Sequence, residues 1–66
     1  MHPSTSAILR FFEYEHLPAH LQEVSRPFSE LAYDMASKFE GAELTTGLRK
    51  LLEAKDCMVR AALPGD

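Results

Sequence analysis

Phe12, Tyr14, His16, Arg26, Thr45, Lys55 and Arg60 are the residues whose types and spacing suit holding a ligand. Phe12, Tyr14 and His16 alternate with Glu13 and Glu15 in a ring-bearing run. The aromatic planes in such a run can stack on a base, each for about 1–3 kcal/mol. Arg26 can grip a phosphate through its planar fork. Thr45, with Thr46, stands where a helix should begin, and free backbone N–H groups there favour an anion. Lys55 and Arg60 add positive charge further along that helix. Each residue has a plainer role as well. Phe12 and Tyr14 can be core or interface, Thr45 a helix cap, and Arg60 a partner of the C-terminal helix dipole. Taken together they describe a site for a small nucleotide.

Lys55 is the most informative of them. Leu44, Leu48, Leu51, Leu52, Met58, Val59 and Ala62 fall at helical spacing, and at ~100° per residue they share one stripe. Lys55 lies near the middle of that stripe, where a charge is costly to bury without an anion or carboxylate beside it. It therefore either snorkels to water, pairs with a carboxylate of a partner chain, or faces a shared pocket that takes an anionic ligand.

Other chemistry is weakly represented. His16 and His20 are spaced as helical metal pairs are, but Pro18 lies between them and no third ligand stands nearby. No metal and no cofactor is implied, because zinc needs three or four protein ligands. No nucleophile, base and orienting group form a set. Ser25 and Ser29 read as capping or turn residues around Pro27. Cys57, the single cysteine, reads as a buried structural thiol. No glycine-rich phosphate loop is present. The chain reads as a binding protein and not as an enzyme.

The elements that must position these residues are helical. Residues 1–10 read as a flexible N-terminal tail with little to bury, and residues 11–66 as a single helical-hairpin domain. Residues 11–18 read as an extended segment. Pro18 suits the first turn of a helix, and Leu21 and Val24 continue it. Pro27 should kink or split that arm at 25–27. Phe28, Leu31, Ala32, Met35 and Phe39 form a second apolar stripe, with Gly41 as its C-cap. The last helix should start near Glu43 to Thr46 and stop at Pro64-Gly65. The fold class is thus all-α, a helical hairpin with a kinked or split first arm (two to three helices). Phe11, Phe12 and Tyr33 are left for a subunit interface or a site.

Composition limits the partners. At 66 residues only about 60% of the unfolded surface can be buried, which favours assembly as a homo-oligomer. The net charge of −3 argues against long nucleic acids. Acids crowd residues 11–43, whereas Arg49, Lys50, Lys55 and Arg60 fall on the last helix. That imbalance suits a small, compact anion, although Arg49, Lys50, Glu53 and Asp56 also suit a solvated helix face. No secretion leader and no membrane span are legible, so a soluble protein of a reducing cytoplasm is expected.

The string Tyr14-Glu15-His16-Leu17, a short helix, a Pro-broken turn and the terminal LRKLLEAKDCMVRAAL resemble the phage-encoded nucleotide sponges that counter CBASS and Thoeris immunity. The similarity covers residues 12–63 in layout and is strongest over 48–63. The resemblance implies a small all-α protein, commonly a homohexamer, acting without catalysis in the cytoplasm of the infected bacterial host. It implies binding of cyclic di- or trinucleotide second messengers in pockets between subunits, with a base stacked on an early aromatic and phosphates met by basic side chains. Tyr14 matches the aromatic position, Arg26 lies near the basic residue after the first helix, and Arg60 matches a late basic position. Lys55 has no counterpart and rests on the stripe alone. Two other readings compete: a hairpin that only oligomerises or docks on another protein, and a small DNA-binding regulator. The second is disfavoured because Glu53 and Asp56 interrupt any basic face.

Overall fold

The computed structural model describes residues 1–64, which are all-helical, with three helices and no strand among them. The helices are α1 (Pro3–Leu9), α2 (Ala19–Lys38) and α3 (Ala42–Ala61), and a 3-10 turn, Arg10–Phe12, extends α1. The molecule measures 38 × 19 × 16 Å. Its long axis follows the two 20-residue helices, each about 30 Å long. The α2–α3 pair is the expected hairpin, and α1 packs against both arms.

The first ten residues are not a tail. Pro3 takes the first helical turn, where its missing N–H is no loss, and the His2 ring accepts the Ser4 backbone N–H at 3.1 Å. Thr5, Ile8, Leu9 and Phe12 then fall at i, i+3, i+4 and i+7, and all four are buried. Ile8, Leu9 and Phe12 form the core with Ala32 and Leu48. Nor are residues 11 and 12 extended, since they complete the 3-10 turn. Residues 13–18 make a turn, with the Leu17 N–H donating to the Tyr14 carbonyl at 3.0 Å.

The first arm is not split at Pro27. α2 runs unbroken from Ala19 to Lys38 with Pro27 inside it. Pro27 is exposed, so its ring meets water and the carbonyl it leaves unbonded, at Glu23, is on an exposed residue. Pro18 serves as N-cap to α2, and its carbonyl accepts the Leu21 and Gln22 N–H groups at 2.9 and 3.0 Å. The buried residues of α2 are Leu21 and the small Ser25, Ser29 and Ala32. The small ones leave volume for Phe12, which is 1% exposed.

Gly41 is not the C-cap of the second stripe. Phe39 ends α2 in an extended conformation, and Gly41 becomes the N-cap of α3 at φ 104°. That conformation costs an L side chain strain and glycine almost none. α3 begins at Ala42, one residue before the expected start, and ends at Ala61. The expected stop at Pro64-Gly65 falls partly outside the described residues, as does the end of the 11–66 domain.

Candidate ligand-binding site

The loop after the 3-10 turn is held from α2. The Gln22 side-chain amide donates to the Glu15 carbonyl at 3.2 Å and to the Leu17 carbonyl at 2.9 Å. This clamp fixes the stretch that carries Tyr14 and His16. Tyr14 is half-buried, and the Arg26 guanidinium stands 5.5 Å from its ring centroid. A cation over an aromatic face is attracted by the ring quadrupole. An aromatic plane and a guanidinium fork are thus brought together.

His16, Lys55 and Arg60 also meet. They line a cleft of about 320 Å³ with Arg10, Glu13 and Asp56. Lys55 comes from the apolar stripe of α3, and its side chain is only 12% exposed. Its Nζ donates to the Phe11 carbonyl at 2.9 Å and lies 3.1 Å from Asp56 Oδ1. The charge on the stripe is therefore met within the chain, by a 3-10 turn carbonyl and the neighbouring carboxylate. Arg60 is exposed, and its guanidinium donates to Cys57 Sγ at 3.4 Å. Cys57 is exposed too, contrary to the buried thiol expected.

Four candidates do not line this cleft; Tyr14 and Arg26 form their own pair outside it. Phe12 is core, so its ring has no free face for a base. Thr45 is not a helix cap: it lies inside the first turn of α3, and its hydroxyl donates back to the Gly41 carbonyl at 3.4 Å. It borders a separate cleft with His2, Thr46 and Arg49. Ten residues of helix separate Thr45 from Lys55, about 15 Å of rise.

Arg10, Gln22 and Ser25 were not read as site residues. Arg10 joins the cleft because α1 exists, and the i, i+3, i+4, i+7 spacing of Thr5 to Phe12 was the signal for α1. Ser25 lines the same cleft and is buried in the middle of α2, not placed at a turn. Gln22 carried no sequence signal, since its role depends on where the loop folds.

On the other side of the hairpin, Leu31, Met35, Phe39, Leu44, Leu48 and Leu51 line an open apolar groove of about 510 Å³. Leu31 and Phe39 of the second stripe are thereby exposed. Among the described residues no cluster of three or more His, Cys, Asp or Glu is placed to hold a metal, and no helix is long and apolar enough to cross a membrane. In comparisons with known proteins, no family model, no curated protein and no solved structure matches the chain.

Proposed function

We propose that this protein is a sponge of the kind its sequence resembles. It binds cyclic di- or trinucleotide second messengers at interfaces between identical subunits and keeps them from a host effector. The observation that carries the reading is the Tyr14–Arg26 pair, 5.5 Å from ring centroid to guanidinium carbon. A base stacks on the ring while the guanidinium turns its fork to the adjoining phosphate. The cationic cleft is lined by the chain neighbours of this pair, Glu13 and Ser25, and not by Tyr14 or Arg26 themselves. The homo-oligomer, a hexamer by the resemblance, is supported by the uncovered apolar groove and by a buried core of six hydrophobic residues. A second copy of the site then arises by symmetry. The setting is the cytoplasm of an infected bacterial host.

Replacing the ring tests this reading. Tyr14→Ala should abolish binding of a cyclic dinucleotide in calorimetric titration and leave the sedimentation profile unchanged. Unchanged affinity in that variant removes Tyr14 from the site and the reading with it.

One observation favours the second reading, a hairpin that only assembles or docks. Lys55 already has an acceptor and a carboxylate in its own chain, so its charge does not by itself require a ligand. That reading predicts no heat from any cyclic nucleotide.

A further inference from the structure

A buried hydroxyl without a partner lies against the cationic cleft. Ser25 is 1% exposed, and its Oγ has no hydrogen-bond partner among the described residues. Buried polar groups are almost always paired, so an orphan needs an explanation. Ser25 sits in the wall that also carries Arg10, Lys55 and Arg60. Lys55 Nζ has three donors. Two face the Phe11 carbonyl and Asp56, which leaves one unused.

We propose that this cleft receives one phosphate group, with Ser25 Oγ and the remaining Lys55 N–H as its inner contacts and Arg10 and Arg60 as its outer ones. A phosphate has enough acceptor oxygens to satisfy all four at once. A single water has two acceptor sites and no charge to set against the three cations. Two carboxylates line the cleft, and Asp56 is already turned to Lys55. Glu13 is the remaining opposing charge and weakens the site. The space, about 320 Å³, suits a phosphate with an attached sugar and not a whole cyclic dinucleotide. Ser25 Oγ exposes less than 1 Å², so binding includes a local side-chain shift that uncovers it. The proposal deepens the sponge reading by giving a place to one phosphate of its ligand.

The test uses the whole chain and amide chemical shifts. Inorganic phosphate is titrated against chloride at matched ionic strength, followed by a cyclic dinucleotide. Saturable shifts centred on Ser25 and Lys55 with phosphate and not chloride are expected. Ser25→Ala should weaken phosphate about tenfold, the loss of one hydrogen bond to a charged group. Arg10→Gln, at an exposed position that does not risk the fold, should weaken it as well, and Glu13→Gln should tighten it. Absence of saturable shifts, or unchanged affinity in both Ser25→Ala and Arg10→Gln, overturns the proposal and leaves a buried water as the partner of Ser25. Cyclic dinucleotide binding that leaves the cleft resonances unmoved also overturns it, without touching the sponge reading. Phosphate binding without cyclic dinucleotide binding keeps the cleft and removes the sponge.

Discussion

Lys55 shows how far a single residue can be read. Its place on the apolar stripe was legible, and so was its need for an oxygen partner, because both follow from helical periodicity and the cost of burying charge. The partner was not legible. Besides the adjacent Asp56 carboxylate, it is the Phe11 carbonyl, 44 residues away along the chain, and a backbone acceptor leaves no mark in residue types. The bond ties the 3-10 turn to α3. Lys55→Met should therefore lower stability by about 1 kcal/mol, a fall in Tm of roughly 4–8 °C for a domain of this size. Differential scanning calorimetry checks this, and an unchanged Tm would mean that water replaces the ammonium without loss. Phe12 teaches the converse. Its type suits stacking equally well in a core or in a site, and only the small buried residues of α2 decide for the core.

At the scale of elements, the two long helices were legible because each carries a stripe repeated over several turns. α1 was missed for a physical reason. Its seven residues are too few to be stable alone, and its polar composition, His2 to Ser6, resembles a loop until the buried positions are counted at helical spacing. Tertiary packing makes the helix. Ile8→Ala should then cost about 2–5 kcal/mol, as a core truncation does. A true tail would lose almost nothing. Urea unfolding followed by circular dichroism separates the two, and a midpoint within error of the parent would return residues 1–10 to the status of a tail. Pro27 was expected to kink or split the arm, and it does not split it. A proline inside a helix removes one hydrogen bond, but on an exposed face water supplies the replacement, and the flanking buried residues hold the helix on both sides.

For the molecule as a whole, the uncovered groove is the feature the sequence half disclosed. The apolar stripes were visible, but which parts of them face each other was not. Leu31 and Phe39 stay exposed on the groove. Gly47 lines the groove, and a Cβ placed on it meets nothing within 4 Å. A mid-helix glycine costs about 1 kcal/mol relative to alanine, and nothing among the described residues requires this one. In the proposed assembly, close approach of a second subunit would account for it. Gly47→Ala should raise the Tm of the dilute protein while weakening self-association in sedimentation equilibrium. Association at least as strong as the parent's would take the groove out of the interface. The central claim concerns the ligand, and the most direct measurement is calorimetric titration with a panel of cyclic di- and trinucleotides and a linear dinucleotide as control. At least one cyclic member should bind with nanomolar affinity and be recovered intact after denaturation. Absence of heat from every member of the panel would contradict that claim and leave the hairpin as an assembly or docking module.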